Sequence, residues 1–291
     1  MIISVINHTH GKITDEQLQV AIRAINRQIA HDFEPYWSLY AELRLEGRSE
    51  VRPTKHNLAD MRGDAVIYMW DNVDVEDALG YHDKNDRGIP YGFVFTELSQ
   101  QLGENWTVTL SHEALELIGD PEVNLLVMGP HPTEPERDVF HWYEMCDAVQ
   151  AESYVVDEVE VSNFVLPLYF TGGDETGGRN DFLGRLYDGK PLKSFGVNPG
   201  GYIGFYDPLK SDNGTFNMEG DTRAEARREI KSRARSARRA IRYQRFDLSG
   251  SSETVAAEVR QMASGKPPGS RDSAKKPAKK GAKKAAKKKK R

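Results

Sequence analysis

Residues 106–121 read Trp-Thr-Val-Thr-Leu-Ser-His-Glu-Ala-Leu-Glu-Leu-Ile-Gly-Asp-Pro, and the fold and chemistry predicted for the chain are organised around them. The stretch predicts a short helix, because Ser111 stands where an N-cap residue belongs and Gly-Asp-Pro is typical of a helix end. Apolar residues surround the polar positions, which predicts a buried helix. His112 and Glu116 are four residues apart and therefore share one face of it.

The spacing of His112, Glu113 and Glu116 is that of the zinc-protease helix motif His-Glu-x-x-His, with Glu in place of the second His. A catalytic zinc needs about three protein ligands and an open position for water. His112 and Glu116 are the first two candidate ligands. Glu113 is the candidate general base, which would take a proton from the water that attacks a carbonyl. A buried histidine and two carboxylates need partners, and a cation would satisfy all three.

The third ligand must come from elsewhere in the chain. Glu144 is the best candidate, because it lies in the aromatic and acidic segment 143–147. Asp147 could be a ligand itself or a partner that orients one. Asp120 and Glu122 are closer to the helix in sequence and stay open as alternatives. The sequence predicts structural roles for two further kinds of side chain. Cys146 is predicted to pack in the core. Three histidines, His8, His10 and His82, are predicted to lie on the surface or to form hydrogen bonds.

The pattern Ser-His-Glu-x-x-Glu-x-x-x-Asp-Pro, followed by Glu-x-x-Asp, resembles a zincin-like group of metallopeptidases from bacteria and phages. A similar segment occurs in Exordium-like plant secreted proteins. The matching residues are Ser111, His112, Glu113, Glu116, Asp120, Pro121, Glu144 and Asp147. The resemblance extends over roughly residues 1–206. It implies a zincin-like mixed sheet with an active-site helix, and Zn²⁺ as the cofactor of a peptidase.

The same resemblance implies two further features. Glu144 would be the third ligand, as in the zincins called gluzincins. An edge-like strand at 89–95 would lie beside the helix and could pair with an extended peptide substrate. One position departs from the pattern, because Glu116 replaces a histidine and makes the site harder and more anionic. Other divalent cations therefore compete with zinc.

Periodicity predicts an α+β fold over residues 1–215. Thr14 and Gln17 form a predicted capping box at the start of a helix that runs to about Asp32. Strands are predicted at 2–6, 39–45, 64–70, 89–95 and 201–206, with a hairpin formed by 154–156 and 159–166. Loops are predicted at 46–62, at 97–103, after Pro121 and at 171–201, the last of these wrapping the surface.

Charge divides the chain into an acidic body and a basic end. Residues 1–220 hold 16 Lys and Arg against 37 Asp and Glu, whereas residues 265–291 hold 13 against 1. The predicted organisation is a zincin-like catalytic or pseudo-catalytic domain at 1–215, a basic helical extension at 216–246, and a disordered linker and Lys-rich tail at 247–291.

The tail resembles the Lys-Ala-Pro tails of linker-histone-like bacterial proteins. Its basic side chains could hold nucleic acid without reading sequence, because clustered lysines release counterions from phosphates. These residues are Lys275, Lys276, Lys279, Lys280, Lys283, Lys284, Lys287, Lys288, Lys289, Lys290 and Arg291. Two other roles stay open: a solubilising appendage, or a segment that lies on the acidic body.

Two functions from different classes follow. One is a metal-dependent, peptidase-like hydrolase. The other is a non-catalytic structural or nucleic-acid-associated protein on a degenerate zincin fold. The sequence has no long apolar run, no signal-peptide pattern and one cysteine. It therefore predicts no membrane partner and a cytoplasmic protein, or a virion-associated one if a phage encodes it.

Overall fold

The computed structural model describes residues 1–54, 56–71, 80–85, 87–101, 103–171, 178–218 and 220–221. All of them belong to one compact unit, Met1–Ile241. The predicted Lys-rich tail lies outside the described residues, as does the predicted basic helix beyond residue 221. Within the described ranges, no helix is both long enough and apolar enough to cross a bilayer.

Strands and helices alternate in the first half of the chain, and strands dominate the second half. The strands are β1 (Ile2–His8), β2 (Glu42–Glu46), β3 (Ala65–Trp70), β4 (Gly80–Lys84), β5 (Pro90–Phe95), β6 (Leu126–Pro130), β7 (Asp138–Trp142), β8 (Ser153–Val156), β9 (Val159–Ser162), β10 (Tyr202–Asp207) and β11 (Asp212–Asn217). The α-helices are α1 (Asp15–Gln28), α2 (Glu34–Trp37), α3 (Thr96–Gln101) and α4 (Trp106–Gly119). Shorter helical turns are a π-helical turn at Ile29–Phe33 and two 3-10 turns at Asp147–Val149 and Pro167–Phe170.

The larger sheet has the strand order β2-β1-β3-β5-β4. Its first four strands in this order are parallel, and β4 pairs antiparallel with β5 at one edge. A second, antiparallel sheet has the order β11-β10-β7-β6, and β8 and β9 form a hairpin. These sheets and helices confirm the predicted α+β class. The prediction that 89–95 is an edge strand is wrong, because β5 is paired on one side by β3 and on the other by β4.

The two faces of the larger sheet are covered differently. On one face, α1 and α4 bury apolar side chains such as Leu18 and Leu110 against Val5 and Ile67 in the main core. The other face carries a smaller cluster around Tyr68, whose hydroxyl donates a hydrogen bond to the backbone oxygen of Ala59. Helix α4 lies beside β4, β5 and β9, so side chains on it face the edge of the sheet.

Helix α4 begins earlier than the sequence predicted. Asn105 is its N-cap, with a side chain that accepts a hydrogen bond from the Thr107 backbone, and the helix ends at Gly119. Ser111 is therefore not the N-cap but a buried residue in mid-helix. Its hydroxyl donates to Gln28 Oε1 at 2.6 Å and accepts from the Ser162 backbone N–H at 3.2 Å. Ser111 thus ties α4 to α1 and to the hairpin.

Several other predictions can be checked against the described residues. The Thr14–Gln17 capping box and the hairpin at 154–162 are confirmed. The loop predicted at 97–103 is wrong over most of its length, since α3 occupies Thr96–Gln101. The stretch after Pro121 is not irregular throughout, because β6 and β7 form there. Residues 178–201 lack regular structure, but they do not only wrap the surface: Asn180, Asp181 and Asn198 are buried.

Candidate metal centre

The polar side chains of α4 are buried together with its apolar ones. His112, Glu113 and Glu116 are 6%, 3% and 2% exposed. The helix is enclosed because the larger sheet covers one side of it and the hairpin and residues 145–149 cover another. An ionised carboxylate in such a place is costly unless it is paired or coordinates a metal. The contacts of these three side chains therefore define the candidate site.

The inner group of the site forms around Nε2 of His112. This atom lies 3.2 Å from Glu116 Oε1 and 3.4 Å from Asp147 Oδ1. The backbone N–H of Cys146 also donates to Glu116 Oε1, at 3.2 Å. One ligand atom each from His112, Glu116 and Cys146 lie within 4.8 Å of one another. Of the four third-ligand candidates, Asp147 is the one whose carboxylate lies beside His112 Nε2.

A close approach to the end of α4 brings Asp147 into place. A Cβ atom on Gly119 would lie 2.1 Å from Met145 Cε, so glycine allows the segment after β7 to pack directly against the helix. The Met145 and Ala148 carbonyls accept backbone hydrogen bonds from Val165 and Asn198, at 2.8 and 3.0 Å. These contacts hold the 3-10 turn that starts at Asp147.

An outer group forms around His82, for which the sequence predicted a structural role. His82 lies on β4, with Nδ1 at 3.5 Å from Glu113 Oε2 and 3.8 Å from Glu116 Oε2. Its Nε2 is 4.0 Å from Glu144 Oε2. The ligand atoms of His82, Glu116 and Glu144 lie within 4.8 Å of one another. Glu116 therefore belongs to both groups. Glu144, the predicted third ligand, lies in the group of His82 and not in that of His112.

The site perturbs the titration of two of its groups. Burial lowers the pKa of His82, but the hydrogen bond to Glu113 and the charges of Glu144 and Glu116 outweigh this and raise it to about 9. Burial raises the pKa of Glu116. His112 lowers it again in part, while the charges of Glu144 and Asp147 add to the rise, and the resulting pKa is about 7. Both values reflect an excess of carboxylates in a buried space.

We expect the metal-free protein, prepared with a chelator, to melt several degrees lower at pH 9 than at pH 6.5. His82 has a pKa raised from 6.5 to about 9 in the fold, so its stabilising proton is fully present below pH 6.5 and lost as the pH rises through 9. The raised pKa values of Glu116, about 7, and of Cys146 add to the decline in this window. The lowered pKa values of His8 and His141 act in the opposite direction, but only below pH 6.5. Thermal melting of wild type and His82→Gln at several pH values measures the effect. The variant should show a smaller decline, and an equal decline would contradict the assignment to His82.

Geometry and donor chemistry both fit a divalent cation. Zinc bonds of about 2.0–2.2 Å in a tetrahedral site place neighbouring ligand atoms about 3.3 Å apart. The distances from His112 Nε2 to Glu116 Oε1 and Asp147 Oδ1 match that spacing. Imidazole and carboxylate are also common zinc ligands, and a carboxylate-rich set is compatible with harder cations. His112 and Glu116 could therefore hold such an ion, with a third ligand from Asp147, which contacts His112, or from Cys146, whose thiol lies within 4.8 Å of both ligand atoms.

Two predicted alternatives lie outside these groups. Asp120 is the C-cap of α4, and its Oδ2 accepts the Leu125 backbone N–H at 2.9 Å. Burial raises the pKa of Asp120, against the hydrogen bonds from the backbone of Leu125 and Asn124. Glu122 points away from the site, with an exposed carboxylate 3.0 Å from Lys84 Nζ. Asp120 thus has a capping role, and Glu122 forms a surface ion pair.

A narrow pocket with room for about one water molecule reaches the site from the side of the second sheet. Glu144 and Asp147 lie at its polar end. Aromatic and aliphatic side chains form the rest of its wall, and they include Tyr169, Phe170, Phe195 and Ile203. The pocket gives a water molecule a route to the carboxylates.

No family model matches the chain, and no curated protein or solved structure matches it either. The function proposed below is therefore inferred from the residues of the site and their geometry.

Proposed function

We propose that this protein is a zinc-dependent, peptidase-like hydrolase with a zincin-like domain over residues 1–215. The observation that carries the proposal is the buried contact of His112 Nε2 with carboxylate oxygens of Glu116 and Asp147, at 3.2 and 3.4 Å. Support also comes from the position of α4, which carries the His-Glu-x-x-Glu motif and lies beside the edge of a mixed sheet. Another divalent cation could replace zinc in a site so rich in carboxylates.

His112, Glu116 and Asp147 would hold the ion. When bound, a zinc ion would lower the pKa of water to about 7 and polarise a carbonyl group. Asp147 replaces Glu144 as the third ligand in this proposal, because it is Asp147 that contacts His112. The Cys146 backbone N–H, which donates to Glu116 Oε1, would fix the orientation of that carboxylate.

Glu113 would serve as the general base. It precedes Glu116 on the same helix, is buried, and has Oε2 at 3.5 Å from His82 Nδ1. That contact would orient the carboxylate of Glu113 toward the space between the two histidines. The base would accept a proton from water and return it to the leaving amine, a contribution of about 10²–10⁴-fold in rate.

The substrate would be an extended peptide. Because β5 is paired on both sides, the peptide would add to β4, whose outer edge has no partner strand among the described residues. Main-chain pairing there would bring the substrate beside α4.

Metal analysis and a peptide-library assay test the proposal together. We expect wild type to hold stoichiometric zinc and to cleave peptides, and we expect a chelator to stop cleavage. Glu113→Gln should keep the metal and lose about 10²–10⁴-fold in rate. Glu122→Gln, a change of an exposed carboxylate near the same helix, is the matched control and should behave as wild type. Wild-type protein without bound metal would exclude the proposal, and equal cleavage by Glu113→Gln would point to a contaminating protease.

A second candidate function is a non-catalytic, nucleic-acid-associated protein on a degenerate zincin fold. The observation that favours it is the charge of residues 265–291, which hold 13 Lys and Arg against 1 acidic residue. Such a segment would bind phosphates without sequence readout. In this role the protein would be cytoplasmic or part of a virion. The two functions can also coexist, because they use different parts of the chain.

A further inference from the structure

Glu116 presents its two carboxylate oxygens to two different groups. Oε1 faces His112 Nε2 at 3.2 Å and accepts the N–H of Cys146. Oε2 lies 3.8 Å from Nδ1 of the other histidine, His82, and one ligand atom each from His82, Glu116 and Glu144 lies within 4.8 Å of the others. A carboxylate placed between two ligand sets is the usual bridge in a two-metal site, where the ions lie about 3.5–4 Å apart.

Among the residues that the structure describes, the second ligand set has an imidazole nitrogen without a hydrogen-bond partner. His82 is 7% exposed, and among the described residues nothing forms a hydrogen bond with its buried Nε2. This atom is directed toward Glu144 Oε2, 4.0 Å away, which is too far for a hydrogen bond. A cation between the two would satisfy the nitrogen.

The other nitrogen of the same ring is held by a carboxylate. His82 Nδ1 lies 3.5 Å from Glu113 Oε2. Ligating histidines commonly donate their second ring N–H to a carboxylate, which fixes the tautomer and leaves the opposite nitrogen free for the metal. The sheet also leaves room for the His82 ring. His82 pairs with Gly92 of β5, and glycine places no side chain beside the ring on that face.

Charge balance also favours two ions over one. Glu113, Glu116, Glu144 and Asp147 together carry four negative charges when ionised. Two divalent cations balance these four charges when both histidines are neutral, whereas one divalent cation with a protonated His82 balances three of them. Uncompensated buried charge is the more costly state.

We infer that the centre binds two divalent cations bridged by Glu116, the second of them held by His82 Nε2 and Glu144. The inference rests on the proposed function for the first ion, at His112 and Asp147. The inner set includes a thiol neighbour, Cys146, and suits zinc, while the outer set, with two carboxylates, also accepts a harder ion such as Mn²⁺.

Metal stoichiometry and electron paramagnetic resonance test the inference without relying on activity. Purified full-length protein is loaded with Zn²⁺ or with Mn²⁺, dialysed and analysed. Wild type should hold two ions per chain, and its Mn²⁺ form should give the signal of a spin-coupled pair. His82→Ala should hold one ion and give an isolated Mn²⁺ signal, while Glu122→Gln should retain two.

The outcomes separate the two proposals. One ion per wild-type chain, with an isolated Mn²⁺ signal at saturation, would overturn the two-ion centre and leave the single-metal hydrolase in place. No bound ion would overturn both. If His82→Ala does not fold, the stoichiometry and the spin coupling of wild type decide the question alone.

Discussion

Glu116→Gln is expected to abolish stoichiometric metal binding, and peptide hydrolysis with it. Glu116 is the residue shared by the inner group around His112 and the outer group around His82. Glutamine keeps the shape of the side chain but removes its charge. Its remaining carbonyl oxygen can still accept the Cys146 N–H. The loss should therefore fall on the metal rather than on the fold.

Competition with a chromophoric chelator measures this loss. Changes to groups that only orient a ligand cost about 10–100-fold in metal affinity, so loss of a shared ligand should exceed 100-fold. Glu113→Gln is the informative comparison, because it lies on the same helix, is equally buried and should retain the metal. Circular dichroism controls for folding. Wild-type metal content in Glu116→Gln would remove Glu116 from the ligand set.

The part of this site that the sequence could predict is the part that one helix carries. The 3.6-residue period alone places His112 and Glu116 on one face, whatever the rest of the fold does. The capping box at Thr14 and the hairpin at 154–162 were predictable for the same reason, since each depends on residues close in sequence. Even here the start of α4 was misplaced, because Asn105 and Ser111 are both good N-cap residues and only the packing of the segment between them decides.

The choice between Glu144 and Asp147 could not be made from spacing. Both follow β7 in one short segment, and their direction depends on the 3-10 turn that begins at Asp147 and on the contact of Met145 with Gly119. Those contacts join parts of the chain that lie far apart in sequence. A sequence pattern can therefore nominate the segment but cannot say which carboxylate reaches His112.

His82 was missed because its strand was missed. β4 is short, contains Gly80, Asp83 and Lys84, and has none of the β-branched residues that favour strands. Once its antiparallel pairing with β5 is known, alternation of side chains places His82 on the face of α4. The only local sign of a strand at His82 was its position two residues after Gly80 and ahead of the predicted strand at 89–95. The polar strand β11 was missed for a similar reason, since Asp212, Asn213 and Gly214 are typical turn residues.

Deletion of residues 265–291 is expected to remove most of the affinity for nucleic acid and nearly all of its salt dependence. The segment carries a net charge of +12, whereas the rest of the chain carries −16 (−4 for the whole chain minus +12) and should repel phosphates. Binding through 6–10 phosphate contacts weakens by about 10³–10⁵-fold between 50 and 200 mM salt. The full chain should follow this steep dependence on duplex DNA of any sequence, and the truncated chain should not.

A charge-preserving shuffle of residues 265–291 is the matched control. It should bind as the natural order does, because counterion release depends on the number of neutralised phosphates and not on the order of the lysines. Replacing the lysines by glutamine should mimic the deletion. The negative charge of residues 1–220 would repel DNA that approaches the full chain, so the isolated tail peptide should bind more tightly than the full chain at low salt. Equal affinity and an equal salt slope for the full and truncated chains would assign nucleic-acid binding, if any, to another part of the protein.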